Sequence, residues 1–497
     1  MDKYDFLVIG SGPAGQRAAI QAAKIGKRVA IIERHEVVGG VSVHTGTIPS
    51  KTLREAALYL TGWSQRGLYG RAYRLQKSVT MSDLLDRLHI TLNHEIEVIR
   101  DQLSRNNVDT IYGIGSFIDK NTIQVKDPNG NTLEYQADKF LIATGTRPIR
   151  PEHIPFNNTT IIDSDALLEL KTTPRSMTIV GGGVIGVEYA SIFATMDIKV
   201  TLIDGREHLL SFLDLEIVDE LVHHMRAQKI VMRLGEDVKE VLEDTSGKVI
   251  TTLESGKKIC SDVILFAAGR MGCTYDLSLD KASLKPTERR LIKVNEFLQT
   301  SVPHIYAAGD VIGFPSLAST SMEQGRLAAC HAFGLTNSKP AHNFPFGIYA
   351  VPEISVVGMT EQELTKNKIP YEVGLARLRE TARGQIMGIE TGILKLLISL
   401  EDKRILGVHI IGEGATELIH IGQAVLILGG TIDYFLENAF NYPTLAEAYK
   451  MAALDAWNRI GTLCECSSFD LIPTTKLVDK KPHTDNTKKS RKLPKAS

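Results

Sequence analysis

At 497 residues the chain is too long for a single hydrophobic core, and about three domains are expected. Its 43% hydrophobic and 23% charged residues, with no apolar run long enough to cross a bilayer, exclude a membrane-spanning class and fit a globular protein in solution. The formal net charge is −1, and the five scattered cysteines form neither a CxxC pair nor a Cys/His cluster with zinc spacing, so neither a disulfide framework nor a structural metal is expected.

In chain order, DFLVIG reads as a buried strand that runs into GSGPAG, with glycines at Gly10, Gly12 and Gly15. A helical stretch rich in Ala and Gln follows to Gly26, and RVAII then ends at Glu33. Glycines at this spacing allow a tight turn and close approach of backbone to a pyrophosphate. The helix N-terminus offers N–H donors, and the acid accepts from a ribose hydroxyl. Because MDKYDFLVIGSG leads straight into this strand, a cleaved leader would remove part of the site, and a cytoplasmic location is expected. Residues 51–106 read as long helices, followed by strands through TIYGIGSF and TIQV. The first unit closes at KFLIATGTRP, which carries Thr144 and Gly145.

A proline-rich connector leads to SMTIVGGGVIG, where Gly181, Gly183 and Gly186 repeat the glycine spacing. Asp204 ends the next strand, at the same 23-residue separation from the first glycine as Glu33. One glycine loop is weak evidence; the full context arriving twice predicts two dinucleotide sites. Two positions beyond Asp204, Arg206 suits a 2′-phosphate as Asp204 suits a free 2′-hydroxyl, which predicts use of both nucleotides, with a solvated loop arginine as the alternative. The second unit closes at DVILFAAGR with Gly269, in parallel with the ATG of the first. HIYAAGD, with Asp310, and the helix from Ala318 are expected to return to one of the two sites.

From Phe344 the pattern changes to strands (EISVVGM, LKLLISL, RILGVHIIG) and amphipathic helices, which suggests an interface or lid domain. The end of the chain is basic: residues 476–497 hold eight Lys/Arg against two Asp, without aromatic residues. It is expected to be a solvated, disordered appendage rather than a nucleic-acid or lipid contact. The expected fold class is α/β, with two Rossmann-like domains and an α+β C-terminal domain. The boundaries are 1–150, 151–272, 273–343 (rejoining the first), 344–462 and a tail over 463–497.

These residues resemble the pyridine nucleotide-disulfide oxidoreductases, the two-dinucleotide flavoprotein family that includes glutathione reductase and lipoamide dehydrogenase. The resemblance spans roughly residues 1–462. It implies FAD at Gly10, Gly12, Gly15, Glu33, Lys51, Thr144, Gly145, Asp310 and Ala318, and NAD or NADP at Gly181, Gly183, Gly186, Asp204, Arg206 and Gly269. Lys51 resembles the lysine beside flavin N5 and Glu188 its ion-pair partner, while Asp310 resembles the acceptor for the ribityl chain. The segment from 344 to 462 resembles the family's dimerisation domain, which implies a homodimer or higher homo-oligomer with Glu447 near the partner's flavin.

Two departures bear on activity. The family's disulfide reductases carry paired cysteines in GGxCxxxxCxPxK, whereas this chain reads GGVSVHTGTIPSK, with Ser42 and Thr47 at those positions. Near the C-terminus FNYPTLAEAYK places Tyr442 where the family base is His, although Glu447 is kept. A hydroxyl forms neither thiolate nor disulfide, so electrons are expected to leave through the flavin itself. The implied activity is reversible ping-pong hydride transfer between NADPH and NAD+ through flavin N5, with Lys51, Glu188 and Glu447 as catalytic candidates. An NAD(P)H:quinone or dye oxidoreductase and a non-catalytic flavin-binding interaction protein are the alternatives; no nucleic acid, membrane or metal is expected.

Overall fold

The computed structural model describes residues 2–466, apart from 71, 72, 74, 77, 78, 336, 337 and 342. Of the tail expected over 463–497, residues 463–466 are instead the last of a helix that begins at Glu447, and the rest lies outside the described residues. The chain opens with β1 (Asp2–Ile9), α1 (Pro13–Lys24) and β2 (Val29–Glu33), then short α2 (Gly40–His44), α3 (Thr47–Leu60), α4 (Arg66–Tyr69) and α5 (Met81–Ser104). Strands β3 (Asp109–Tyr112), β4 (Ile114–Phe117), β5 (Thr122–Lys126) and β6 (Thr132–Ile142) complete a sheet of order β3-β2-β1-β6-β5-β4. Phe6, Leu7 and Val8 are fully buried, as a parallel strand covered on both faces requires; hence the unbroken apolar run. A capping box between Thr80 and Asp83 fixes the start of α5.

β7 (Thr146–Pro148) leads to β8 (Ile161–Asp163), β9 (Ser176–Val180), α6 (Val184–Thr195), β10 (Lys199–Asp204), α7 (Leu215–Ala227) and β11 (Val231–Leu234). An antiparallel excursion, β12 (Val238–Glu243), β13 (Val249–Leu253) and β14 (Lys258–Ser261), precedes β15 (Val263–Phe266) and β16 (Arg270–Gly272). The second parallel sheet runs β11-β10-β9-β15-β8. The connector between the units therefore supplies an edge strand of its own. The exit segments β7 and β16 pair with each other, Arg270 opposite Pro148 and Gly272 opposite Thr146, and so stitch the two units together.

β17 (Ile305–Ala307) adds to β6 in parallel, and α8 (Ala318–Ala332) packs along α1. The contact is close because Gly325 faces Ala14, where a Cβ would come within 2.0 Å of the Ala14 carbonyl oxygen. The remainder is β18 (Phe346–Ile348), β19 (Ile354–Gly358), α9 (Glu361–Lys366), β20 (Tyr371–Arg377), α10 (Ala382–Met387), β21 (Ile393–Ser399), β22 (Ile405–Ile411), α11 (Ala415–Ile427), α12 (Asp433–Glu437) and α13 (Glu447–Cys466). Its five strands form an antiparallel sheet, β18-β19-β22-β21-β20. Among the described residues no helix is long and apolar enough to cross a membrane.

A buried ion cluster ties this last sheet to the second unit. Lys395 on β21 is fully buried, and its ammonium reaches Asp214 and Glu216 at the start of α7 (2.9 Å each) and Glu361 at the start of α9 (2.5 Å). Burial opposes the charge, but the three carboxylates more than offset it and push the Lys395 pKa up. The same carboxylates would otherwise suit a cation; the lysine already fills that role.

Candidate functional site

The two glycine loops repeat one geometry. Gly10 has φ +104° and Gly181 φ +111°, and a Cβ on either would come within 2.5 Å of a carbonyl oxygen, that of Ala143 or Ala267. A Cβ on Gly15 or Gly186 would collide with the carbonyl of the first glycine of its own loop, at 1.9 and 1.8 Å. The middle glycines differ: nothing lies within 4 Å of a Cβ on Gly12 or Gly183. Those two positions open onto the free N-terminal turns of α1 and α6, where unpaired N–H groups and the helix dipole favour an anion.

A cavity of about 770 Å³ runs from the first loop along the sheet edge. Its lining includes Gly10, Gly12, Glu33, Ser42, Thr47, Thr144, Gly145, Asp310 and Ala318. Glu33 is buried; its Oε2 accepts from the Ser11 N–H (3.0 Å) and hydroxyl (2.5 Å), and its Oε1 from the His35 N–H (3.0 Å). Thr144 Oγ1 is buried without a hydrogen-bond partner, an orphan that a ligand in the cavity would satisfy. Burial pushes the Asp310 carboxyl above its ordinary range, with Arg270 and the Thr146 hydroxyl (3.3 Å) pulling the other way. Ala318 begins α8, so a second helix N-terminus meets the same cavity. The elongated cavity, the open turn at Gly12 and the orphaned Thr144 hydroxyl fit a dinucleotide such as FAD.

Lys51 on α3 and Glu188 on α6 are joined: the ammonium donates to both carboxylate oxygens at 2.9 Å. Glu188 is buried and also accepts the Tyr349 N–H (2.8 Å), while Lys51 sits 4.8 Å from the centre of the Tyr349 ring. Three parts of the chain thereby fix one ammonium, a helical turn along α3 from Thr47.

In the second unit Asp204 accepts from the Gly182 N–H on Oδ2, and from the Arg206 N–H (2.8 Å) and guanidinium (Nε to Oδ1 and Nη2 to Oδ2, 2.8 Å each). Burial disfavours its charge, but Arg206 and the backbone donors outweigh this and hold the Asp204 pKa below the ordinary carboxylate value. The Arg206 guanidinium is folded back on its neighbour, with its side chain 51% exposed. Gly269, φ +110°, ends the β15 turn, its carbonyl accepting from the Ile149 N–H (3.0 Å).

Glu447 opens α13, and its Oε2 is buried without a partner among the described residues; Tyr442 is 73% exposed. Three features escaped the sequence reading. Ser11 bridges Glu33 to the Gly39 N–H (2.9 Å), a signal available inside GSGPAG itself. Arg270 donates to Thr146 Oγ1 (2.9 Å) and so links the exit of the second unit to Asp310. Cys273 lies in the cavity wall, where burial pushes its thiol up against the opposing pull of Arg34, Arg147 and Arg270. Nothing in its local sequence marks that position.

The profile described as pyridine nucleotide-disulphide oxidoreductase matches residues 4–325, and the dimerisation domain of the same name matches 344–453. The chain is 53% identical over 464 residues to the soluble pyridine nucleotide transhydrogenase of Mycobacterium tuberculosis (strain ATCC 25177 / H37Ra), covering 93% of this chain and 99% of that protein. It is 46% identical over 461 residues to the protein of the same name from Colwellia psychrerythraea, covering 92% and 98%. Among solved structures, the HOCl-induced flavoprotein disulfide reductase RclA from Escherichia coli superposes with a TM-score of 0.82 at 28% identity, covering 91% of this chain and 99% of that one. LpdA from Mycobacterium tuberculosis shares the fold, with a TM-score of 0.84 at 23% identity over 91% and 99%.

Proposed function

The chain belongs to the pyridine nucleotide-disulphide oxidoreductase family, and on that premise we propose that it is an FAD-dependent transhydrogenase working between NADPH and NAD+. The observation that carries this reading is the pair Ser42 and Thr47 in the cavity wall. Two hydroxyls cannot cycle between dithiol and disulfide, so reducing equivalents enter and leave at the flavin itself, and the second glycine loop offers the place for the nicotinamide nucleotides that carry them. Bound FAD supplies the two-electron centre between them.

The residues divide the work. The α1 turn at Gly12 would hold the FAD pyrophosphate and Glu33 a ribose hydroxyl, Thr144 would donate to the bound cofactor, and Asp310 would accept from the ribityl chain. The α8 N-terminus at Ala318 and the Lys51 ammonium, held by Glu188, place positive potential where negative charge gathers during reduction. The α6 turn at Gly183, with Asp204, Arg206 and Gly269, takes one nicotinamide nucleotide at a time, which makes the kinetics ping-pong. Glu447 serves across the dimer interface. On this reading 1–150 and 273–343 form the FAD unit, 151–272 the substrate unit and 344–462 the pairing unit, and the protein works in the cytoplasm.

Anaerobic titration tests this directly. NADPH should bleach the flavin with two electrons per FAD and no long-wavelength thiolate charge-transfer band, and NAD+ should then restore the oxidised spectrum. Uptake of four electrons, or a reduced flavin that quinone reoxidises and NAD+ does not, would overturn it.

A further inference from the structure

Glu33 and Asp204 occupy equivalent positions in the two units, yet they differ in what is left free on them. A carboxylate offers about four acceptor positions. Glu33 uses three, for the Ser11 N–H, the Ser11 hydroxyl and the His35 N–H, and keeps one on Oε1. Its neighbour Arg34 is drawn away to Asp276, 2.8 Å distant. Asp204 uses all four: the Arg206 N–H and Nε on Oδ1, the Gly182 N–H and Arg206 Nη2 on Oδ2. An arriving ribose diol finds no vacant lone pair there.

We propose that the Arg206 guanidinium is a removable mask on Asp204, which weakens NAD(H) and favours NADP(H) at the second site. The proposal rests on that site taking nicotinamide nucleotides, as argued above. When Arg206 swings out, two acceptor positions return to Asp204 while the two backbone donors stay, so a 2′-hydroxyl gains its partner only after the ion pair opens. For a 2′-phosphate the same movement is productive, because the released fork binds the phosphate oxygens. The mask opens from the solvent side, since the Arg206 side chain is 51% exposed while the Asp204 carboxylate beneath it is only 6% exposed. The first site has no such device, consistent with a cofactor that stays and a substrate that leaves.

The test is calorimetric titration of air-oxidised holoprotein with NAD+ and NADP+, neither of which reduces the flavin, so that binding is read without turnover. In Arg206→Ala, with flavin content equal to wild type as the check on folding, Kd for NAD+ should fall by about two- to five-fold. Kd for NADP+ should rise at least about ten-fold, as loss of a charge-assisted contact implies. An unchanged or raised Kd for NAD+ would overturn the mask; so would parallel weakening of both nucleotides, which would make Arg206 a brace for the loop. A wild-type protein that binds neither nucleotide overturns the mask together with the site. One that binds both but fails to move reducing equivalents between them overturns the transhydrogenase reading and leaves the mask in place.

Discussion

At the scale of single residues, Glu33 is the clearest dependence. Its remaining acceptor position faces the cavity, and removing a charged acceptor from a ribose hydroxyl costs about 1.5–3 kcal/mol, or roughly ten- to a hundred-fold in affinity. Glu33→Ala should therefore come off a desalting column with its FAD depleted, read as the ratio of flavin to protein absorbance. Asp204 makes a prediction about acid. Its pKa is depressed in the folded chain, so its ion pair contributes stability above the ordinary aspartate value of about 3.9 and loses it as pH falls through the lower folded value. The difference in unfolding free energy between wild type and Asp204→Asn should be level near neutrality and shrink below about pH 4, as urea titrations at several pH values would show. The spacing of both acids was legible, because a strand of fixed length must end where the loop begins. That Arg206 turns back onto Asp204 was not, because it depends on the path of the turn after β10 and on a side-chain rotamer, neither of which has a period in the sequence.

Among elements, the placement of α8 hangs on one missing methyl. A side chain at Gly325 would press on the Ala14 carbonyl at the start of α1 and push apart the two helix N-termini that share the cavity. Gly325→Val should lower stability by about 1–3 kcal/mol by overpacking and should weaken flavin retention as well, both measured by thermal melts with and without added FAD. Lys395 gives the converse case, in which a charge is needed. Lys395→Met strands the fully buried Asp214 at the α7 N-terminus, and a loss of about 3 kcal/mol is expected in urea unfolding. Long, strongly patterned elements such as β1, α5 and α13 could be read from the chain. The edge strand β8, the hairpin sheet β12–β14, and β18 and β20 were not read. Several of them are only three to five residues long, too short to show a period, and form only because a neighbouring strand offers its edge.

For the whole molecule, the dimerisation profile over 344–453 implies pairing with a second copy, and we propose the exposed Tyr442 ring of that domain as part of the contact. Tyr442→Asp should move the sedimentation equilibrium from dimer toward monomer. An unaltered dimer would show that Tyr442 contributes little to the contact. The duplicated architecture was legible because both halves need the same backbone collisions relieved. The stitching of the halves through β7, β16 and Arg270 was not, since it joins segments more than a hundred residues apart. Those collisions also divide the six loop glycines into two kinds of mutational tolerance. At Gly10, Gly15, Gly181 and Gly186 any side chain strikes backbone of the protein itself, so a variant library sorted for folded yield should accept glycine alone. At Gly12 and Gly183 a small side chain meets empty space, and the same library should pass alanine freely until it is sorted a second time for bound nucleotide.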